Sequence, residues 1–188
     1  MPREITTWHL ELTGRQDFRP ARPCPDLRIE RAEIPCPEVN RFFYAAVGGD
    51  LFWIDRLSWT YAEWMAWLNR PEVETWIGSV SGTPAGYFEL ERQAEGSAEI
   101  AYFGLLPRFV GHGLGGALLG AAVERAWELG SRRVWLHTCS LDHAAALPAY
   151  QARGFRIFRT ETALLEIAET SPEPWPGAAR AGSSAGSK

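Results

Sequence analysis

The chain has 188 residues and a formal net charge of −4 at pH 7, and this length predicts one domain, residues 1–168, followed by a tail. The arginines are scattered and no run of about 18 apolar residues occurs, which excludes the usual patterns of nucleic-acid-binding and membrane-spanning proteins. Three cysteines without a Cys-x-x-Cys pair give no disulfide framework. These features favour a cytoplasmic protein without nucleic-acid or membrane partners.

The first third of the chain predicts strands and then helices. A period of two in the apolar residues indicates strands, and a period near 3.6 indicates helices. Thr60 and Glu63 have the spacing of a capping box at the start of a helix, and Pro71 ends that helix. The predicted elements are strands over 6–12 and 27–34 and helices over 38–47 and 60–68.

The rest of the chain predicts a three-strand meander followed by alternating helices and strands. Ser81 to Pro84 has the composition of a hairpin turn. From Glu169 onward Pro, Gly, Ala and Ser dominate, so residues 169–188 are predicted to form a disordered tail, with Trp175 as its single large side chain. The predicted elements are strands over 74–80, 85–90 and 98–103, a helix over 114–129, a strand over 133–138, a helix over 143–153 and a final strand or strand pair over 155–165.

The segment from Leu105 to Leu119 is the most informative part of the sequence, because glycines at 111, 113, 115 and 116 separate a predicted strand from a predicted helix. Backbone N–H groups and the helix dipole converge at such a turn and favour a phosphate. A P-loop needs a lysine after the glycines, but the only lysine is Lys188. A dinucleotide-binding fold needs an acidic residue at a second strand end, whereas Glu128 lies within the same predicted helix.

Arg108-x-x-Gly111-x-Gly113, between a strand and an amphipathic helix, resembles the GNAT superfamily of acyl-CoA-dependent N-acetyltransferases. The run from Asp142 to Phe155 is similar to the family's second motif, Asn-x-x-Ala-x-x-x-Tyr-x-x-x-Gly-Phe, and the two motifs together cover about residues 84–165. The resemblance implies an α/β (α+β) fold with a mixed, mostly antiparallel central sheet, splayed at the cofactor site and flanked by helices. It also implies direct transfer of acetyl from acetyl-CoA, without a metal, to a primary amine on a small molecule or peptide, and it leaves a homodimer open.

The resemblance also implies roles for individual residues. Tyr150 occupies the position of the family's general acid, and a phenol with a pKa near 10 carries its proton at pH 7. Glu99 resembles a strand glutamate that acts as base or positions a water, although Glu89 or water alone are alternatives. The acyl-CoA contacts fall on the strand end, the turn and the second motif: Phe103, Leu105, Arg108, Phe109, Val110, Gly111, His112, Gly113, Leu114, Gly115 and His143.

Two departures from the family pattern affect this assignment. Val110 stands where the family commonly has a basic residue, so Arg108 and His112 are the candidates to replace its contact with phosphate. His143 stands where the second motif has Asn, with Asp142 beside it.

Several alternative interpretations stay open on the sequence alone. His137, Cys139 and His143 could ligate a metal, although no fourth ligand has zinc spacing. An aromatic cluster between Phe42 and Trp67 either packs the core, with Tyr61, Trp64 and Leu68 on one helix face, or forms an apolar wall of the acceptor pocket. The whole protein could be a catalytically silent acyl-CoA-binding regulatory module or a partner-binding domain. The acceptor is not identified.

Overall fold

The structure is a computed structural model that describes residues 2–168 and residue 172, so the predicted tail lies almost wholly outside the described residues. None of the helices in this part of the chain is long and apolar enough to cross a membrane. The elements are β1 (Pro2–Leu12), β2 (Leu27–Ala32), α1 (Pro37–Gly48), α2 (Tyr61–Leu68), β3 (Val73–Val80), β4 (Thr83–Gln93), β5 (Ser97–Leu105), α3 (Leu114–Glu128), β6 (Arg133–Cys139), α4 (Ala146–Ala152) and β7 (Arg156–Glu166).

The seven strands among the described residues form one sheet in the order β2-β3-β4-β5-β6-β1-β7. Every neighbouring pair is antiparallel except β5 and β6, which confirms the predicted mixed and mostly antiparallel sheet. The amino-terminal strand β1 lies between β6 and β7, far from β2, which follows it in sequence. Chain order alone gave no indication of this placement.

The sheet opens between β5 and β6. Their parallel pairing covers three residue pairs and ends at Glu99 and Trp135. On the other side of β5 the register with β4 shifts between Glu89 and Leu90, which leaves Ala101 as an extra residue on β5. Such a bulge bends and twists the strand that carries it. The carboxyl-terminal parts of β5 and β6 therefore enclose a gap.

The helices cover both faces of the sheet. Leu118, Ala122 and Tyr150 of α3 and α4 pack with Leu10 and Phe88 in the larger core. The helices α1 and α2 pack on the opposite face in two smaller clusters, one containing Phe43 and Tyr87 and the other Tyr44, Trp64 and Leu68. The division follows from strand alternation, because Tyr87 and Phe88 are consecutive and point to opposite faces.

The capping box of α2 forms as predicted, but the face assigned to this helix was partly wrong. The Thr60 hydroxyl accepts from the Glu63 amide at 3.3 Å, and the Glu63 carboxylate accepts from the Thr60 amide at 2.6 Å. Trp64 and Leu68 are buried, whereas Tyr61 is 62% exposed. Tyr61 is the first residue of the helix and stays exposed, so helical spacing alone overestimated the buried face.

Two predicted boundaries in the carboxyl-terminal half also differ from the structure. The helix expected over 143–153 begins at Ala146, because residues 140–145 form a turn held by side chains. In this turn the Asp142 carboxylate accepts from the Thr138 hydroxyl at 2.6 Å and from the Cys139 amide at 3.0 Å. The alternative of a strand pair over 155–165 is replaced by the single strand β7.

Residues 13–26 form a strap that connects β1 to β2 across the α3 face of the sheet. The Phe18 ring packs edge-on against Trp127 of α3, with the centroids 5.6 Å apart. Closer to the start of α3, a Cβ added to Gly116 would lie 2.6 Å from the Cβ of Ala21. The glycine therefore lets the strap approach the first turn of the helix.

Candidate functional site

A cleft of about 660 Å³ lies where β5 and β6 diverge. It extends from the glycine turn before α3, past the gap between the strands, to the segment 49–60 that joins α1 to α2. Its walls come from β5, β6, α4 and these two connections. Side chains and backbone that line it include Val110, Gly111, Gly113 and Gly115 of the turn, Ile100 to Leu105 of β5, Leu136, His137 and Cys139 of β6, Tyr150 of α4, and Trp53 and Asp55 of the segment 49–60.

The glycine turn presents unpaired backbone amides beside the cleft. Gly111 and Gly113 have φ values of 85° and 78°, a conformation that other residues rarely adopt. Among the described residues, no acceptor is bonded to the amides of residues 111–113, and the first amides of α3 are unpaired by helix geometry. No atom lies within 4 Å of a Cβ built on either glycine. This arrangement fits a diphosphate.

The other side chains assigned to the turn point elsewhere. Arg108 is exposed, and Leu114 is buried in the larger core. Phe109 also packs against that core, and the Nδ1 atom of His112 lies 3.1 Å from the carbonyl of Val110. None of these four side chains lines the cleft. Any contact with a ligand there therefore comes from the backbone and from Val110.

The end of β5 borders the gap with one free backbone edge. Phe103 and Leu105 line the cleft, and the ladder to β6 has already ended at Glu99. The N–H and C=O groups on this edge are available to an extended ligand, as in β-strand addition. Phe103 also packs edge-on against the ring of Tyr150, with the centroids 6.2 Å apart.

Tyr150 lies in the wall of the cleft opposite β5. Its ring packs between Phe103 and Phe155, and the same residue also lines the cleft. Tyr150 therefore both packs in the core and borders the cleft. Burial, reinforced by the negative charge of Asp142, raises the pKa of Tyr150 well above its ordinary value. The hydroxyl is therefore a neutral donor at physiological pH.

Glu99 reaches the cleft only through a second side chain. Its carboxylate accepts from the Gln93 side chain at 2.9 Å and lies 3.4 Å from Nδ1 of His137. Of the two, His137 lines the cleft. The contact with Glu99 raises the pKa of His137 above 6.5 against the opposing effect of burial. Sequence analysis missed this pairing, because it depends on the parallel alignment of β5 and β6.

Glu89, the alternative base, lies in a closed network away from the cleft. It is fully buried and accepts from Asn40 at 2.8 Å, from Trp67 at 2.9 Å and from Arg56 at 2.7 Å. Both carboxylate oxygens are therefore occupied. This network joins α1, α2 and the segment 49–60 to β4.

The guanidinium of Arg56 is enclosed by aromatic rings. Its Cζ atom lies 4.3 Å from the ring centroids of Trp67 and Tyr102 and 4.5 Å from that of Trp59. The aromatic cluster noted in the sequence thus has two roles: most of its rings pack around Arg56 and Tyr44, and Phe52 and Trp53 line the cleft. Trp53 also reaches across the gap, where its Nε1 atom is 3.4 Å from Asp142.

The residues considered as metal ligands do not converge. His143 lies in the turn before α4 and lines the cleft, and its ring accepts from the Ala145 amide at 3.1 Å. Burial raises the pKa of the Cys139 thiol, which disfavours a thiolate ligand. Within residues 2–168 and 172, no group of three His, Cys, Asp or Glu side chains could hold a metal ion.

Comparisons with known proteins agree with this geometry. The sequence profile described as "Acetyltransferase (GNAT) family" matches residues 37–155. No protein among the curated sequences matches the chain. Similar solved structures include GCN5-related N-acetyltransferases from Kribbella flavida (19% identity, TM-score 0.62, covering 85% of this chain and 57% of that one) and Sphaerobacter thermophilus (17% identity, TM-score 0.64, covering 92% and 56%).

A third similar structure is an aminoglycoside acetyltransferase from an uncultured soil metagenomic sample, in complex with sisomicin. It is 17% identical with a TM-score of 0.55, and the match covers 68% of this chain and 88% of that one. At sequence identities of 17–19%, the similarity of these three structures to the chain concerns the fold alone. The chain spans somewhat more than half the length of the Kribbella and Sphaerobacter structures.

Glu89→Gln should strongly destabilise the protein, because it leaves the Arg56 charge buried without its partner. Breaking a buried ion pair costs about 3–5 kcal/mol. The matched control is Glu72→Gln, whose partner Arg70 is 3.8 Å away at the surface, and an exposed pair contributes at most about 1 kcal/mol. Urea unfolding of both variants measures the difference. Equal losses of stability would contradict the structural role of Glu89.

Proposed function

Because the chain belongs to the GNAT acetyltransferase family, we propose that it transfers an acetyl group from acetyl-CoA directly to a primary amine of a small molecule or peptide. One observation carries the proposal: a single cleft joins the open glycine turn to both His137 and Tyr150. The phosphate-binding element and the two proton-transfer groups thus border the same space. The free thiols of Cys24, Cys36 and Cys139 are in keeping with a reducing cytoplasm.

The chain's backbone supplies the contacts that acetyl-CoA needs in this scheme. The amides of Gly111 to Gly115 would hold the diphosphate, and the helix dipole of α3 adds to that attraction. The free edge of β5 at Phe103 and Leu105 would hold the pantetheine arm as an added strand. Arg108, Phe109, His112 and Leu114 contribute through the backbone of the turn, and His143 through its side chain at the cleft wall.

The transfer forms one bond and breaks one. The acceptor nitrogen attacks the thioester carbonyl carbon, the C–N bond forms, and the C–S bond breaks. Tyr150 gives its phenolic proton to the departing sulfur, and the nitrogen releases a proton to the base, so that an N-acetylated amine and CoA thiol result. Tyr150 then regains a proton from solvent, and the base releases its proton to solvent.

We assign the proton-accepting step to His137, with Glu99 as the residue that positions it. The amine attacks in its neutral form, and its nitrogen loses one proton after the C–N bond has formed. An imidazole with a raised pKa holds that proton better than a free carboxylate with a pKa near 4.3. The alternative is that Glu99 acts directly or through a water. The two routes predict different pH dependence.

Gly113→Val should abolish acetyl-CoA binding, because its φ of 78° is unfavourable for a branched residue and its side chain would enter the phosphate cradle. Calorimetric titration with acetyl-CoA measures the loss. Gly82→Val, at a hairpin with a φ of 77°, is the control for backbone strain alone. Retained affinity in Gly113→Val, or lack of acetyl-CoA binding by the unaltered protein, would contradict the proposed cradle.

Tyr150→Phe should bind acetyl-CoA with unchanged affinity and lower kcat by about 10²–10⁴-fold, the usual contribution of a general acid. The ring is kept, so its contacts with Phe103 and Phe155 are preserved. Release of CoA thiol with a panel of amines gives the rate. Unchanged turnover would remove this role. A protein that binds acetyl-CoA tightly but releases no CoA with any amine would be the regulatory module.

The pH dependence of kcat/KM separates the two candidate bases. Because the protonated imidazole cannot accept a proton, activity should fall as the pH drops through the raised pKa of His137, above 6.5. Glu99→Gln removes the largest contribution to this raised pKa, to which Asp142 and Asp55 add, so the acidic limb should move to lower pH. His137→Gln should abolish the limb.

An acceptor amine that is neutral across the pH range keeps its own ionisation out of this profile. If the limb survives in His137→Gln and is lost in Glu99→Gln, the carboxylate is the base. If neither substitution changes the acidic limb of the pH profile, neither His137 nor Glu99 is the base.

A further inference from the structure

The end of the cleft formed by the segment 49–60 has its own chemical character, separate from the phosphate end. Trp53 and Tyr102 meet there edge to face, with ring centroids 5.0 Å apart. Burial raises the pKa of the Tyr102 phenol, so this ring stays neutral. The Tyr102 ring already stacks with the Arg56 guanidinium at 4.3 Å, so what the two rings offer the cleft is an apolar wall that favours carbon-rich groups.

The charged groups at this end are acidic. Asp55 and Asp142 both line the cleft beside Trp53. The Asp142 carboxylate already accepts from Thr138, Cys139 and Trp53. Asp55 is exposed, and among residues 2–168 and 172 no side chain forms a hydrogen bond or ion pair with it. Its carboxylate therefore has no direct partner in the wall, although its charge helps to raise the pKa of His137.

Among residues 2–168 and 172, no cationic side chain forms an ion pair with Asp55. Arg56 is its neighbour in sequence, but its guanidinium is directed into the core, where it pairs with Glu89 at 2.7 Å. The direct partner of His137 is Glu99, and the charge of Asp55 acts on His137 only without contact. Arg153 also lines the cleft, at the carboxyl end of α4, and among the described residues no ion pair joins it to Asp55. The local charge at the segment 49–60 is negative.

The wall is also held in a fixed position. Phe52 has a φ of 57°, which is costly for a residue other than glycine, and Trp53 follows it. The Trp53 ring packs so closely on Gly48 that an added Cβ would lie 2.3 Å from it. The Arg56 backbone amide is bonded to the Tyr44 hydroxyl at 3.1 Å. Asp55 is thus anchored on both sides and preorganised for a ligand.

We propose that the acceptor carries a second cationic group and is a diamine with an apolar linker: the distal ammonium binds Asp55, and the linker lies along Trp53 and Tyr102. This inference rests on the proposed acetyl transfer, since the other amine of the same molecule reaches His137. An acceptor with a carboxylate at the distal end meets Asp55 and Asp142 and is disfavoured. The segment 49–60 therefore selects the acceptor by charge.

Three acceptors of one chain length test this selection: hexamethylenediamine, hexylamine and aminohexanoate. With saturating acetyl-CoA and the full chain, kcat/KM should fall in that order, with about two- to fivefold between the diamine and hexylamine, the effect of one exposed ion pair. The three acceptors should differ in KM and not in kcat, because the distal group does not touch the reacting atoms. Thiol release measures each rate.

Asp55→Asn should remove the preference for the diamine over hexylamine. Because Asp55 helps to raise the pKa of His137, the rates are compared on the plateau above that pKa, where the rate with hexylamine should stay within about twofold. Asp26→Asn makes the same charge change in the strap, where the side chain does not line the cleft, and should leave all three rates unchanged. A diamine that is no better than hexylamine, or an Asp55→Asn variant that slows all three acceptors equally, would overturn the proposal.

Failure of the acetyl transfer itself gives a different result. In that case no amine releases CoA from the unaltered protein. Calorimetric titration of the three amines into the protein saturated with CoA then still measures whether the cleft binds the three amines with different affinities. Tighter binding of the diamine, lost in Asp55→Asn, supports the acidic subsite, and equal binding of all three amines contradicts it.

Discussion

The separation of β5 from β6 is the constraint on which the site depends. Two parallel strands would normally continue their ladder, but here pairing stops at Glu99 and Trp135. The bulge at Ala101 bends β5, and the rings of Phe103 and Tyr150 fill part of the gap. Because the ladder stops, one backbone edge of β5 is free, and Glu99 lies where the strands diverge. The free edge and the proton-transfer groups are consequences of one interruption in the sheet.

The opposite wall of the cleft depends on a buried charge. Arg56 and Glu89 lie between the sheet and the helices α1 and α2. Asn40 and Trp67 also donate hydrogen bonds to the Glu89 carboxylate, so both of its oxygens have partners. Burying two charges costs free energy that good geometry must offset. The aromatic rings around Arg56 contribute cation–π attraction, about 0.5–2 kcal/mol at each good contact. The result is a rigid segment that carries Trp53 and Asp55 at the cleft.

Local features were predictable from the sequence. The capping box at Thr60 and the glycine turn before α3 depend on residues a few positions apart, so spacing alone indicated them. The start of α4 was misplaced because the Asp142 side chain stabilises a turn, a contact that helical periodicity does not register. Tyr61 was misassigned because helical spacing predicts which face of a helix is buried but not how far along the helix that burial extends.

Long-range contacts were not predictable in the same way. No property of residues 2–12 indicated that this strand would lie between β6 and β7. The contact of Glu99 with His137 depends on the parallel register of two strands joined by a long crossover. The tryptophans of segment 53–67 were conspicuous, yet only the structure shows that Trp59, Trp64 and Trp67 surround Arg56 while Trp53 lines the cleft beside Asp55.

The most direct test of the account is a crystal structure of the protein with CoA and an unreactive acceptor analogue. The account predicts the diphosphate on the amides of residues 111–115, the pantetheine arm along Phe103 and Leu105, and the sulfur within hydrogen-bonding distance of the Tyr150 hydroxyl. A CoA molecule bound outside the gap between β5 and β6, or a sulfur remote from Tyr150, would contradict it.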